Sequence, residues 1–355
     1  MALKSKPKKS IWMFGLEKDE PTAQQRSDHG KRLSERLGME IVMPPIPETS
    51  ELDLRKPRIK PPTALEEICF SDNYERALHS KGDPLEEFSG LFRNPPDIVA
   101  HPRTEDELEA VLEWCSDKGH ATIPFGGGSS SVEGVKPPDG YDGIVTIDMD
   151  QFDRVLDIDD VSRAARIQAG IYGPEMEDQL RPAGFTLRHF PQSFSLSTLG
   201  GWIATRSGGH YATKDTHIDD FVESTRMLTP TGWWESLRLP GSGAGPSPDR
   251  LSIGSEGILG IITESWMRIQ VRPKFRASAS IVFDSWELGY EAVRQIVQTK
   301  LWPANLRLLD PELAASSAGL DGKQAVLILG FESAETPQHW PMETAVAIAR
   351  SCGGH

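Results

Sequence analysis

Cysteine is scarce: Cys69, Cys115 and Cys352 are the three in 355 residues. The number is odd and no CxxC spacing occurs, which argues against a disulfide framework and against a cysteine-based zinc site. No run approaches about 18 apolar residues, so no transmembrane helix is expected. The first residues, MALKSKPKKSIWMF, are basic but lack the apolar stretch of a secretory signal. The last, CGGH, match no C-terminal address, and the expected compartment is the cytoplasm. Positive charge is in deficit, with Lys+Arg 38 against Asp+Glu 52 and a net charge of -14. That balance argues against a nucleic-acid partner. No internal repeat and no low-complexity tract stands out.

What is present is enough for about two domains and a large buried core. Hydrophobic residues at 38% and charged residues at 25% are too balanced for wholesale disorder. Charge is uneven. Residues 1–60 hold 13 Lys+Arg and 9 Asp+Glu, and the remainder 25 and 43. This basic arm reads as solvated, or as a surface for a partner or membrane. Residues 44–62, PPIPETSELDLRKPRIKPP, cannot form a regular helix and read as an extended segment wrapped over a body.

From residue 97 short strands and helices alternate. DIVAHP is a strand. Thr104 to Lys118 is an amphipathic helix with Thr104 as N-cap, Glu107 at the capping-box position and Gly119 at C′. ATIPF and IVTIDM are strands, VLDIDD and ARIQAG a hairpin, and Pro174 opens a short helix. The class is α+β.

Three motifs carry chemistry. In the first, Pro124-Phe125-Gly126-Gly127-Gly128-Ser129-Ser130-Ser131 follows a strand. Three glycines let backbone N–H groups converge on one anion, and serines add donors; a plain turn is the alternative. The loop is neither GxGxxG nor a P-loop. In the second, residues 190–209, Gly200-Gly201 opens a short helix. Its hydroxyls and free amides suit a flat polar ligand, or the segment is a small-residue helix packed on a sheet. In the third, Ile253-Gly254-Ser255-Glu256-Gly257-Ile258-Leu259-Gly260-Ile261-Ile262-Thr263-Glu264 follows a Gly/Pro/Ser-rich loop, 240–248, and precedes the strand SWMRIQV. It is a ligand-edge turn or a strand-bounding one.

In this order and spacing the motifs resemble the flavoproteins with a vanillyl-alcohol-oxidase-type FAD-binding domain. The similarity is greater to the alkyldihydroxyacetonephosphate synthases, on PFGGGSSSVEGV, RHFPQSFSLSTLGGWIATRSGGH, THIDDFVES, GSEGILGIITESWM and Asn305-Leu306-Arg307-Leu308-Leu309-Asp310. The resemblance implies a two-subdomain FAD-binding domain over residues 93–272, after an N-terminal basic, Pro-rich and helical extension over 1–92. It implies that Pro124, Phe125, Gly126, Gly127, Gly128, Ser129 and Ser130 hold the FAD pyrophosphate. Gln192, Ser193, Ser197, Thr198, Gly200, Gly201, Thr205, Arg206, Ser207, Glu256, Gly257, Leu259, Gly260 and Ile262 would line the rest of the cofactor. The synthases often carry acids where Gln192 and Ser195 stand here. Some relatives bind flavin through a histidine in the phosphate loop; this loop has none, so FAD is expected to be noncovalent. RSGGH at 206–210 stands in the wrong segment for that linkage.

Residues 273–355 are expected to form an incomplete ferredoxin-like cap: the strand ASIVFD, the helix ELGYEAVRQIVQT, the strand AVLILGF and a helix in VAIARSCGGH, with an apolar face exposed. Of the cap groups the resemblance implies, Arg307 has a match, as a bidentate donor to phosphate or carboxylate. A salt bridge to Asp310 is its structural alternative. The implied reaction exchanges acyl for alkyl on dihydroxyacetone phosphate through a flavin adduct, and this chain is expected to turn over poorly or not at all. Alternatives are an FAD-dependent dehydrogenase or oxidase of D-2-hydroxy acids such as D-lactate or glycolate, and a flavin-binding module completed by a partner chain. The substrate is a small or lipid-derived molecule, and a homodimer is an open assembly state. His189 and His210 face the flavin or are structural, His217 begins a loop or helix, Trp233-Trp234 packs in the core, and no metal site is expected.

Overall fold

The computed structural model describes residues 3–355 apart from 5, 44, 81–91, 93, 131, 212–216, 240–244 and 320. Ser131 of the glycine-rich motif and the start of the 240–248 loop lie outside the described residues.

The first residues of the basic arm are pinned to the body, whereas the cations of its helix, Lys31, Arg32 and Arg36, stay exposed. Lys6 pairs with Asp153 (2.9 Å) and Glu175 (3.0 Å), Lys4 with Asp153, and the Lys4 amide donates to Gln151 (2.8 Å). Helix α1 (Ala23–Leu37) follows, opened by a Thr22–Gln25 capping box and closed by Gly38 at φ 66. The proline-rich stretch after it runs extended over the body, broken by one 3-10 turn at Thr49–Glu51. Leu52 and Leu54 pack with Ile11 and with Ala77 and Leu78 of α2 (Asn73–Leu78). Arg55 and Arg58 reach buried Asp97, Arg58 at 2.7 Å. Burial opposes that carboxylate's charge, but the two guanidiniums hold its pKa at about 2.

Two sheets meet around the glycine-rich loop. The first contains β1 (Cys69–Phe70), β2 (Ile98–Ala100), β3 (Ala121–Phe125) and β4 (Ile144–Asp148), in the order β1-β2-β4-β3. β2, β4 and β3 are parallel and β1 antiparallel. Helix α3 (Glu105–Lys118) joins β2 to β3 and buries Leu108, Val111, Trp114 and Cys115 against the sheet. Thr104 caps it and Gly119 ends it at φ 66, as expected. The capping box is incomplete, because the Glu107 carboxylate takes the Arg103 amide (2.7 Å) and guanidinium instead.

The second sheet is antiparallel. It contains β5 (Val155–Asp159), β6 (Ala164–Gln168), β8 (Val222–Thr229), β9 (Gly232–Glu235) and β10 (Ile261–Arg268), ordered β5-β6-β10-β8-β9. Between β6 and β8 lie α4 (Gly173–Leu180), the short strand β7 (Phe185–Thr186) and α5 (Leu199–Ala204). β7 pairs with β11 (Gln270–Val271), and α6 (Asp249–Ser252) precedes the third motif. β10 begins four residues earlier than SWMRIQV indicated, because Ile261, Ile262 and Thr263 are all buried between β6 and β8.

The third unit has β12 (Phe275–Phe283), β13 (Asn305–Leu309) and β14 (Ala325–Ser333), with β14 central and every pairing antiparallel. α7 (Trp286–Gln298) and α9 (His339–Ser351) cover one face through Ala292, Ile296, Ala345 and Ala349. α8 (Pro311–Ala318) packs Ala314 against Leu309 and Val326. Sequence reading named two strands here. The Arg307 motif supplies a third, β13, half-buried along its length, and the last helix starts at His339 rather than in VAIARSCGGH. Trp286, Tyr290 and Trp340 stay exposed on α7 and α9.

Candidate cofactor site

The three motifs, 124–131, 190–209 and 253–264, converge on one cavity of about 370 Å³. Pro124, Phe125, Gly126, Gly127, Gly128, Ser129 and Ser130 form one wall. Ser193, Ser197, Thr198, Gly200, Gly201, Thr205 and Ser207 form a second, and Glu256, Gly257, Gly260 and Ile262 a third. Val132, Gly134, Val135, Met149, Ala169, Trp202, Ala204 and Ile261 also line it. Six of these eight fall inside the quoted motifs without being singled out there; Met149 and Ala169, outside them, read equally well as core.

The glycines make the walls close. A Cβ on Gly127 would stand 2.1 Å from the Leu196 carbonyl oxygen, and Gly128 turns at φ +65. Among the described residues, the backbone N–H groups of Gly127, Gly128, Ser129 and Ser130 have no protein acceptor. These free amides on a side-chain-free concavity are the donor set an anion requires. The loop is held from behind. The Gly126 carbonyl accepts from the Tyr172 hydroxyl (3.2 Å) and the Lys9 ammonium (3.4 Å).

The second motif works differently from the sequence expectation. The amides at the start of α5 are not free: Leu199 donates to Ile171, Gly200 to Ala169 (2.7 Å) and Gly201 to the Thr198 hydroxyl. Hydroxyls are engaged too, with Ser193 donating to Ser197 and Trp202 Nε1 to Ser197 (2.7 Å). This wall offers close approach and shape, with few unpaired donors. The third motif docks on the end of α5 through Glu256 N–H to the Ala204 carbonyl (2.9 Å).

Four of the expected site residues lie elsewhere. Arg206 points outward to Asp219 (2.9 Å), beneath Gly254. Leu259 is 41% exposed and off the wall. Gln192 lines a second cavity, of about 310 Å³, with Arg188, Phe190, His210, Tyr211, Arg276 and Glu332. That cavity lies between the second sheet's loops and β12–β14. Arg307 is on β13 opposite Ile328 and has no ion pair among the described residues. Asp310, its expected partner, instead caps α8 by accepting from the Leu313 amide (2.9 Å). Burial, and then the Arg307 charge, lower the pKa of His210.

His189 is buried between Trp202 and Phe221 and touches the cavity wall through the Ser207 hydroxyl (3.2 Å). Burial pushes its pKa down to about 4, so it stands neutral behind the wall. His217 begins the 3-10 turn Ile218–Asp220. His101, Asp148 and Asp150 cluster closely enough to hold an ion, but His101 already engages Asp150 (2.9 Å) and Glu75 (3.3 Å). Among the described residues no helix is long and apolar enough to cross a membrane.

Comparison with known proteins agrees with this geometry. Residues 96–238 match the FAD binding domain family, and residues 272–355 the C-terminal domain of FAD linked oxidases. The alkyldihydroxyacetonephosphate synthase of Dictyostelium discoideum is 37% identical over 245 residues, 68% of this chain and 40% of the synthase. A glycolate oxidase subunit of Bacillus subtilis (strain 168) is 29% identical over 223 residues, 62% of this chain and 46% of that protein. A solved structure of alkyldihydroxyacetonephosphate synthase superposes with a TM-score of 0.80 at 29% identity, covering 89% of this chain and 64% of that one. The chain thus spans about two fifths of the length of the curated synthase it matches. The free amides of the glycine cradle fit a pyrophosphate, and with both family matches in register the chain belongs to the FAD-linked flavoproteins whose cofactor domain is of the vanillyl-alcohol-oxidase type.

Proposed function

We propose that this chain binds FAD noncovalently in the glycine-lined cavity and acts as an alkyldihydroxyacetonephosphate synthase-type enzyme. The reaction replaces the acyl group of an acylated dihydroxyacetone phosphate by a long-chain alkyl group. The observation that carries this reading is the second cavity, lined by two arginines where the cofactor domain meets β12–β14. These are Arg188 and Arg276; Arg307, on β13, is not among the lining residues.

When bound, FAD supplies reactive ring chemistry that no side chain provides. The chain's own residues do the rest. Amides of Gly127 to Ser130 bind the pyrophosphate, with Ser193, Ser197, Thr198, Thr205, Ser207 and Glu256 lining the remaining wall. Arg307 holds the substrate phosphate as a planar bidentate donor. Arg188 is partly committed, since it pairs with Glu332 and stacks over Tyr211 at 4.5 Å. His210, whose pKa burial and then the Arg307 charge lower, is the candidate proton acceptor beside the phosphate.

The greater identity to the synthase than to the glycolate oxidase subunit supports this reaction over D-2-hydroxy acid oxidation. The proposed compartment is the cytoplasm and the proposed assembly a homodimer, checked by fractionation and light scattering. The test of function is to supply the FAD-loaded protein with acyl-dihydroxyacetone phosphate and a long-chain alcohol. Release of fatty acid with formation of the alkyl product would set aside the sequence expectation of poor turnover, and Arg307→Met should then raise KM for the phosphate substrate about tenfold or more. Bleaching of the flavin by D-lactate or glycolate, with no exchange, would overturn the reading.

A further inference from the structure

The wall of the glycine-lined cavity contains no lysine, arginine or histidine among the described residues, and it contains an acid, Glu256. A pyrophosphate seated there would meet amides and hydroxyls but no cation in direct contact. One cation is nevertheless fastened to the cradle. Lys9 comes from the N-terminal arm, and its ammonium stands 3.4 Å from the Gly126 carbonyl oxygen. It lies over the Tyr172 ring at 4.9 Å and the Phe125 ring at 5.6 Å.

The geometry of a trans peptide gives this contact a consequence. Carbonyl and N–H of one peptide unit point in opposite directions. Drawing the Gly126 oxygen back toward Lys9 and Tyr172 aims the Gly127 N–H into the cavity. An ammonium on the carbonyl also polarises the unit, making that N–H a stronger donor to an anion. Lys9 itself is fixed on both sides. Its amide donates to the Tyr74 hydroxyl and its carbonyl accepts from it, both at 3.0 Å, and it forms a bridge with Leu16. Upstream, Lys4 and Lys6 strap the arm to Gln151, Asp153 and Glu175.

We propose that Lys9 is the positioning cation of the FAD pyrophosphate, acting through the Gly126–Gly127 peptide, so that cofactor retention depends on the N-terminal arm being docked. This rests on the reading that Gly127 to Ser130 hold the pyrophosphate.

The test is titration of the purified apoprotein with FAD and, separately, with riboflavin, which lacks the pyrophosphate, at low and high salt. Wild type, Lys9→Met, Lys9→Arg and Tyr172→Phe are compared. Lys9→Met should weaken FAD about tenfold, flatten the salt dependence of FAD binding and leave riboflavin unchanged. Lys9→Arg should stay within about threefold of wild type, because charge and reach are kept. Tyr172→Phe should weaken FAD and keep the salt dependence. Wild-type FAD affinity and salt slope in Lys9→Met would overturn the proposal, and so would an equal loss for FAD and riboflavin, which marks a merely structural role. If Lys9→Met fails to fold, the double variant Lys4→Met/Lys6→Met, which unfastens the arm, should show the same selective loss, and wild-type binding there would overturn the proposal. Failure of the wild-type protein to bind FAD at all would instead defeat the underlying reading of the site.

Discussion

The two main walls of the cofactor cavity are backed in opposite ways. Behind the glycine loop, on the parallel sheet, lies a buried ionic network of Lys9, Glu75, His79, His101, Asp148 and Asp150. Behind α5, on the antiparallel sheet, lies an apolar core of Ile167, Met176, Leu199, Trp202 and Met267, with His189 embedded in it. Burial alone lowers a histidine's pKa, and His189 falls to about 4. Burial also works against His101, but Asp150 and Glu75 outweigh it and raise that pKa to about 10. The same side chain is thus a cation in one wall and neutral in the other. The difference is one of composition: three carboxylates interleaved with Lys9 and His101 back the glycine loop, whereas apolar bulk backs α5.

The comparison breaks most severely where the walls touch. Gly127→Val would drive a Cβ into the Leu196 carbonyl, 2.1 Å away, and neither backbone can yield cheaply. Loss of FAD binding and destabilisation of about 3 kcal/mol or more are expected, read by flavin absorbance and urea unfolding. A wild-type spectrum from this variant would mean that the walls do not meet as described. Next come the apolar and ionic backings. Ile167→Ala should cost about 2–4 kcal/mol by leaving a cavity in a fully buried core, with salt making little difference.

The pH profile separates the two walls by sign. The pKa of His101 is raised, so its stabilisation is complete below about pH 6.5 and is lost as pH rises toward 10. The pKa of His189 is depressed, so its contribution is present above about pH 6.5 and is lost as pH falls toward 4. Unfolding measured across this range should show His101→Gln flattening the alkaline limb and His189→Phe the acid limb. Both limbs unchanged would contradict the assignment of charge. The smallest effect is expected at Arg206. Arg206 is itself exposed and Asp219 keeps Arg250 as a second partner, so Arg206→Gln should cost under about 1 kcal/mol, with FAD affinity unchanged in the same titration.

The place of the cavity was legible in the sequence, the contrast between its backings was not, and the reasons are local. Glycines and serines in motif order located the cavity, because only residues without bulk permit the backbone approaches seen at Gly127. Thr104 and Gly119 marked the ends of α3, since capping depends on neighbours within one turn. Gln192, Arg206 and Leu259 stand off the glycine-lined wall because a motif gives membership of a loop and not the side of it a residue faces. The free amides expected at Gly200 and Gly201 are consumed by Ala169 and by the neighbouring cap Thr198. Lys9 carried no local signal at all. It belongs to a charge run that reads as solvated, and its partner Gly126 is 117 residues away.

The most direct measurement is the visible absorption spectrum of the purified, desalted chain, repeated on the supernatant after acid precipitation. The account predicts a flavin band that moves into the supernatant as intact FAD. A colourless protein that also fails to take up added FAD would contradict it, because a glycine cradle with free amides would then have no pyrophosphate to hold.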